Sequence, residues 1–111
     1  MQNFKLSKPF KLANDENLSA FQLDFESMST SDFKQVSRLE AMVSDSGIVA
    51  LDDALKGKAL SFKFQLASGF LAATKGTPGL QVGDFSRLPM KDALELAQVA
   101  NFFWLGVVSE Q

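Results

Sequence analysis

The stretch Leu18–Val43 reads LSAFQLDFESMSTSDFKQVSRLEAMV and contains the change of hydrophobic period that decides the fold. In its first part Phe21, Leu23 and Phe25 alternate with polar residues, which is the pattern of a strand with one buried face. In its last part apolar residues recur every three or four positions, which is the pattern of an amphipathic helix. The polar run Ser29–Asp32 between them is rich in N-capping side chains, and its two ends approximate a capping box. The stretch predicts a strand followed directly by a helix over about residues 31–43.

The residues upstream of this stretch predict the partner strand of a hairpin. Phe4, Leu6, Phe10 and Leu12 fall into a second alternating pattern, interrupted by Pro9. Proline cannot donate to a strand ladder, so it suits an edge strand or a break between two short strands. The polar run Asn14–Asn17 predicts the turn, and residues 2–27 together predict a β-hairpin.

The residues downstream predict two further helices. Two apolar stripes run along residues 58–75, which predicts a helix covered on more than one side, either at the centre of the domain or in an oligomer. Gly76 is placed to cap this helix and Pro78 to stop it. Pro89 suits the first position of a last helix over residues 89–105. The intervening segment is ambiguous, and a short helix around Leu51–Leu55 is one interpretation of it. The expected architecture is α+β and mainly α, an N-terminal β-hairpin followed by three main helices, with residues 1–111 forming a single domain.

The amino-acid composition excludes several kinds of chemistry. The 111 residues include no His, no Cys and no Tyr, but 11 Phe and one Trp. Zinc fingers, thiol nucleophiles, disulfides and Ser-His-Asp triads are therefore excluded. A net charge of -2 provides no general attraction to nucleic acid or to anionic lipid. The composition favours a protein that binds rather than an enzyme.

The candidate catalytic and metal-binding patterns are weak. Asp45, Asp52 and Asp53 lack the surrounding pattern of a calcium loop, so we interpret them as solvated acids. Ser61 and Lys63 are two residues apart, a spacing that places them on different faces of a helix. We therefore predict no catalytic residue, no metal site and no cofactor.

The most informative local feature is the run Phe102, Phe103, Trp104 and Leu105. Four consecutive large apolar residues on a helix point around most of its circumference, so one buried face does not hide all of them. Aromatic residues of this kind are common at the energetic centres of interfaces. Core packing at the end of the chain is the competing interpretation, and the two can apply to different residues of the run. We predict that these four residues bind a partner.

Neither a signal peptide nor a membrane span is expected. Lys5, Lys8 and Lys11 interrupt the N-terminal region, and the later apolar stretches are broken by charge or too short to cross a bilayer. The three lysines are interpreted as charges that guard a strand edge, because phosphate-binding surfaces usually cluster more cations. A cytoplasmic location is the default expectation.

The order of these features resembles the small tail assembly chaperones of long-tailed bacteriophages. The resemblance lies in the segments FKLSKPFKL, LSAFQLDFESMSTSDFKQVSRLEA, SGFLAATKG and FSRLPMKDALELAQVANFFW, which together cover nearly the whole chain. The matching residues are Lys8-Pro9, Thr30 with Asp32, Ala67 through Ala73, and Asp92 through Asn101-Phe102-Phe103. Residues 45–57 contain no feature of the family.

The resemblance implies a non-enzymatic assembly factor made in the cytoplasm of the infected host cell. Such a protein is expected to bind the long hydrophobic tape-measure protein while tail-tube subunits polymerise around it, and to be absent from the mature virion. Tail-tube subunits and a second copy of the chain are further candidate partners. The alternative is a small structural virion protein, such as a tail-completion or head-tail connector subunit. A metal-dependent enzyme and a nucleic-acid-binding regulator are the weaker alternatives.

Overall fold

A computed structural model of the chain describes residues 2–45 and 62–109, and in this part of the chain a β-hairpin precedes the helices. This order confirms the predicted α+β, mainly α class. The expected short helix at Leu51–Leu55, and the predicted start of the second helix at residues 58–61, lie outside the described residues. The elements are β1 (Gln2–Lys11), β2 (Asn17–Leu23), α1 (Phe33–Asp45), α2 (Phe62–Gly76) and α3 (Met90–Ser109), with short 3₁₀ helices at Thr30–Asp32 and Val82–Arg87.

The hairpin is antiparallel and buries the face that the alternation predicts. Phe4 lies opposite Phe21, and the strand register shifts between Lys5 and Phe10, the interval that contains Pro9. In the turn, Asp15 adopts a positive φ of 70°, a conformation that Asp tolerates better than most residues. Every predicted inward residue is buried: Phe4, Leu6, Phe10, Leu12, Phe21, Leu23 and Phe25.

Helix α2 is the central element, as its two apolar stripes predict. One side of it packs against β2 and others against α1 and α3. The two helices α2 and α3 pack closely at Gly69, where an added Cβ would lie 3.0 Å from Leu96 Cγ. The prediction that α2 is covered on more than one side is therefore satisfied within the domain itself. Its fully buried side chains are Leu66, Ala67, Ser68, Phe70, Ala72 and Ala73.

Two side chains from the segment between α2 and α3 form hydrogen bonds with backbone groups on the two outer edges of the hairpin. On the β2 edge, Thr77 Oγ1 accepts a hydrogen bond from Gln22 N at 2.9 Å and donates one to Gln22 O at 3.3 Å. On the β1 edge, the Arg87 guanidinium donates to Lys11 O at 3.0 Å and also contacts the carboxylate of Asp84. Such partners block an edge from pairing with another strand.

The connection between α2 and α3 differs in two details from the sequence-based expectation. Gly76 is still helical, and the left-handed residue is Gly79 with φ 85°. Helix α3 begins at Met90, so Pro89 precedes the first helical position, and its carbonyl accepts the Ala93 N–H at 2.9 Å. Proline at this position leaves no amide hydrogen unpaired, and its carbonyl serves as the first acceptor of the helix.

Candidate binding surface

The four residues predicted to bind a partner point in different directions on α3. Phe102 is 66% exposed, whereas Phe103 and Trp104 are partly buried and pack against the hydrophobic core. Leu105 is partly buried as well. Successive residues on an α-helix are separated by about 100° around its axis, so this division follows from helical geometry. The run therefore contributes both to the interior and to the outer surface of α3.

Phe103 and Trp104 belong to an aromatic cluster that also contains Phe25 and Phe64. The rings of Phe25 and Phe103 stack with centroids 4.6 Å apart, and Trp104 lies edge-on to Phe25 at 6.2 Å. Trp104 also contacts Phe103 at 4.9 Å and Phe64 at 5.9 Å. The cluster joins the loop after β2 to α2 and α3, which are distant in sequence.

A hydrogen bond holds the indole of Trp104 in place. Trp104 Nε1 donates to Ser68 Oγ at 2.9 Å, and the Ser68 hydroxyl donates in turn to Gln65 O at 3.2 Å. Ser68 is fully buried on α2. A Trp side chain that is buried over most of its area and satisfied at its N–H has little freedom to change rotamer. Trp104 is therefore a fixed wall for whatever lies beside it.

Beside this wall lies an apolar groove of about 310 Å³. Met28, Val36, Phe64 and Trp104 make it apolar, and short polar side chains at the start of α1 form its rim. The apolar residues come from the loop after β2 and from all three helices. Among the described residues, those that line it are Met28, Ser29, Thr30, Asp32, Val36, Phe64 and Trp104.

An acidic recess of about 230 Å³ lies beside the Phe25–Phe103 stack. Its floor contains Phe25 and Phe103, and its acidic side chains are those of Asp24 and Glu26. The backbone N–H of Ser27 donates to Asp24 Oδ1 at 3.2 Å, which positions that carboxylate. Gln2 and Leu23, from the open end of the hairpin, also line the recess.

The outer face of α3 is a separate apolar surface. Met90, Leu94 and Phe102 are 51%, 41% and 66% exposed, respectively. They lie on one row of every fourth position along the helix, a ridge in which the exposed Gln98 stands between Leu94 and Phe102. This ridge faces away from the aromatic cluster, because the residues that face the core lie on the opposite side of α3.

The pKa of Asp32, which lines the apolar groove, is lowered by its surroundings. The backbone N–H of Ser29 donates to Asp32 Oδ2 at 2.7 Å, and Lys75 Nζ lies 3.3 Å from Oδ1. The hydrogen bond from Ser29 is the main cause that holds the pKa of Asp32 below its ordinary value of 3.8, and Lys75 adds to it against the opposing effect of desolvation. The rim of the groove therefore holds an ionised and already paired carboxylate at neutral pH.

The lowered pKa of Asp32 predicts a loss of stability in acid. Because the folded-state pKa lies below the unfolded-state value of 3.8, the stabilisation is complete above that value and is lost as the pH falls through the folded-state pKa. Asp32→Asn is expected to show a smaller drop in free energy of unfolding between neutral and strongly acidic pH, measured by urea denaturation at a series of pH values. Lys75→Met should retain most of the drop, because the Ser29 N–H is the larger cause. Loss of the whole drop in Lys75→Met would contradict this order of causes.

Two further findings concern metal binding and membrane spans. No three acidic side chains come together in a metal-binding group within residues 2–45 and 62–109. No helix in the described part of the chain is long and apolar enough to cross a membrane. Asp52 and Asp53, which we interpret as solvated acids, lie outside that part of the chain, and so does Ser61 of the Ser-Lys pair.

The sequence-based prediction missed the residues that join Phe103 and Trp104. The alternating strand pattern contains Phe25, and the helix with two apolar stripes over residues 58–75 contains Phe64. Met28 belongs to neither pattern. The sequence offers one signal for the cluster. Phe25 is the last residue of the alternating run, so it lies at the open end of the hairpin. Nothing in the spacing indicates that residues 25, 64 and 104 meet.

Comparison of the chain with protein-family models, with curated protein sequences and with solved structures finds no match. The resemblance to tail assembly chaperones therefore rests on the residues of the chain itself.

Proposed function

We propose that the chain is a non-enzymatic tail assembly chaperone that binds the hydrophobic tape-measure protein while the tail of a long-tailed bacteriophage assembles. The observation that carries the proposal is the apolar groove beside Trp104, because it offers a preformed apolar surface to a client. The resemblance of the ordered sequence segments to this family supplies the identity of the client. The protein acts in the cytoplasm of the host cell and leaves before the virion is complete.

The groove has the properties that a chaperone of an apolar client needs. Its volume of about 310 Å³ lies at the small end of the range for ligand pockets and is sufficient for one or two large side chains. Met28 provides a flexible and polarisable wall, which adapts to side chains of different shape. Trp104 and Phe64 provide rigid walls opposite it, and these favour aromatic or aliphatic side chains of the client.

The ridge of Met90, Leu94 and Phe102 provides a second contact surface. Large exposed apolar side chains that recur along one side of a helix are typical of interaction surfaces. In the proposed function it extends the contact with the client or with tail-tube subunits, or joins two copies of the chain. The predicted role of Phe102 belongs to this ridge and that of Trp104 to the groove, whereas Phe103 lines the neighbouring recess.

Co-expression with the tape-measure protein encoded nearby tests the function. We expect the chain to raise the soluble fraction of the tape-measure protein and to co-purify with it. Met28→Gln, which adds a polar amide to the groove at nearly constant volume, should reduce co-purification by about fivefold to tenfold, because an amide buried against apolar groups is desolvated without a partner. Ala13→Gln is the control, because it adds the same amide at an exposed position of the hairpin turn, outside the groove and the ridge, and it should retain at least half of the binding.

Two results would contradict the proposal. The first is a tape-measure protein that stays insoluble and unbound in the presence of the folded chain. The second is detection of the chain in purified particles by mass spectrometry at the copy number of a structural subunit, which would favour the tail-completion or connector alternative.

A further inference from the structure

The direction of the Trp104 indole N–H is set by the backbone of α2. The hydroxyl of Ser68 has a single hydrogen, and it donates this hydrogen to the carbonyl of Gln65, one turn back on the same helix, at 3.2 Å. The oxygen lone pairs stay available as acceptors, and Trp104 Nε1 donates to them at 2.9 Å. Because Ser68 is fully buried, water is excluded from its hydroxyl. The indole is therefore tied to a rigid helix through one fixed side chain.

This hydrogen bond selects one ring orientation among those that apolar packing permits. Trp104 also contacts the rings of Phe25, Phe64 and Phe103, at centroid distances of 6.2, 5.9 and 4.9 Å. Phenylalanine rings hold the indole by apolar contact, but they offer no oxygen or nitrogen acceptor to its N–H. An orientation that buries the N–H without an acceptor is disfavoured by roughly tenfold or more. The indole therefore keeps the orientation in which Ser68 accepts its hydrogen bond.

We propose that Ser68 is a positioning residue of the apolar groove and sets its preference for large apolar side chains. With the N–H held by Ser68, the indole forms a wall and leaves the groove of about 310 Å³ open. Without this acceptor the N–H turns toward water, and the groove is open space beside the ring. The displaced indole then occupies part of the groove and excludes a large side chain. The inference rests on the proposed function for the identity of the client.

Intrinsic fluorescence reports the position of the indole, because Trp104 is the one tryptophan of the chain. In Ser68→Ala we expect emission at longer wavelength and a larger acrylamide quenching constant, since the indole becomes more hydrated. The substitution removes one oxygen atom and introduces the best helix former, so the fold should be retained, which circular dichroism checks. Ser86→Ala is the matched control and should leave both signals unchanged. The Ser86 hydroxyl also donates to the carbonyl three residues back, Gly83 O at 3.4 Å, but Ser86 is exposed.

Two labelled synthetic peptides measure the preference of the groove. Both form the same polar helix, with Phe at the central position of one and Ala at that of the other. Fluorescence anisotropy should show about tenfold tighter binding of the Phe peptide to the unchanged chain. In Ser68→Ala the preference should fall to about twofold, whereas Ser86→Ala should keep it. Trp104→Phe removes the N–H itself, so adding Ser68→Ala to that variant should cause no further loss.

The outcomes separate this inference from the proposed function. Unchanged emission or an unchanged preference in Ser68→Ala, an equal loss in Ser86→Ala, or a further loss in the Trp104→Phe background would overturn the inference. No Phe preference in the unchanged chain would overturn it too, as would a Ser68→Ala chain that does not fold, because the role of Ser68 would then be structural. In those cases co-purification of the tape-measure protein still tests the function independently. A loss confined to Ser68→Ala and absent in the Trp104→Phe background supports the inference, even where the tape-measure protein is not the client.

Discussion

Phe70→Ala is expected to lower the free energy of unfolding by about 3–5 kcal/mol, the range for truncating a fully buried aromatic side chain. Phe70 has no exposed surface and lies at the centre of α2. Its ring packs edge-on against Phe21 of β2 at 6.0 Å and against Phe85 of the second 3₁₀ helix at 5.3 Å. The truncation would thus leave a cavity where the hairpin, α2 and the loop before α3 meet.

Urea denaturation followed by circular dichroism measures this effect. Domains of this size are usually stable by about 5–15 kcal/mol, so the variant is expected to approach the unfolding threshold even without denaturant. Phe102→Ala is the matched control, because its side chain is 66% exposed. The control should change the stability by less than about 0.5 kcal/mol. Similar losses in the two variants would show that α2 is not the centre of the core.

Asp92→Ala is expected to lower the free energy of unfolding by about 3 kcal/mol, because hydrogen bonds to charged groups contribute roughly 1.5–3 kcal/mol each. Asp92 is fully buried in the first turn of α3. Its Oδ1 accepts the backbone N–H of Ser7 at 3.0 Å, and its Oδ2 accepts the Ser7 hydroxyl at 3.0 Å. Ser7 lies in the interval of β1 where the register shifts, so Asp92 is the acceptor that this irregular part of the strand uses.

A double-mutant cycle separates the two bonds. Ser7→Ala removes only the hydroxyl and should lower the free energy of unfolding by about 1–1.5 kcal/mol, because the backbone N–H keeps its acceptor. In Asp92→Ala both donors of Ser7 lose their partner. The combined variant should be less destabilised than the sum of the two single variants, since the residues are in direct contact. Additive effects would mean that the two side chains do not interact in solution.

Much of the fold follows from local pattern. The alternation of Phe21, Leu23 and Phe25 predicts one buried face of the hairpin, and the structure confirms it. The change to a three-to-four-residue spacing predicts α1 to within two residues at each end. The double stripe of α2 predicts cover on both sides, within the domain or in an oligomer, and contacts with β2, α1 and α3 provide that cover within the chain.

The sequence-based prediction differs from the structure at the ends of the secondary-structure elements. Gly76 has the residue type of a helix cap, but the chain reaches the left-handed conformation only at Gly79. Thr77 follows Gly76 directly, and its hydroxyl forms a hydrogen bond with the backbone of Gln22 at the edge of β2. Contacts between α2 and the hairpin therefore decide where this turn begins, and no local propensity contains that information.

The candidate surface was predicted less completely. The run of four apolar residues at the end of α3 indicates an excess of apolar side chains, and Phe102 is in fact exposed. The sequence does not indicate that Ser68 orients Trp104, or that Phe25 stacks on Phe103. The charges are similar: Asp24, Glu26 and Asp32 look alike in the sequence, yet only Asp32 has Lys75 beside it.

Residue type and spacing suffice to predict the hairpin, the three main helices, the need of α2 for cover on two sides and the absence of His and Cys chemistry. These features depend on residue type and on periodicity, which act between neighbours along the chain. Tertiary packing decides which aromatic side chains meet, which of the four residues on α3 stay exposed and which of the described carboxylates form ion pairs. Those outcomes depend on contacts between residues that are far apart in sequence, such as Ser7 with Asp92 and Phe25 with Phe103. Such contacts form only when the packed elements bring the residues together.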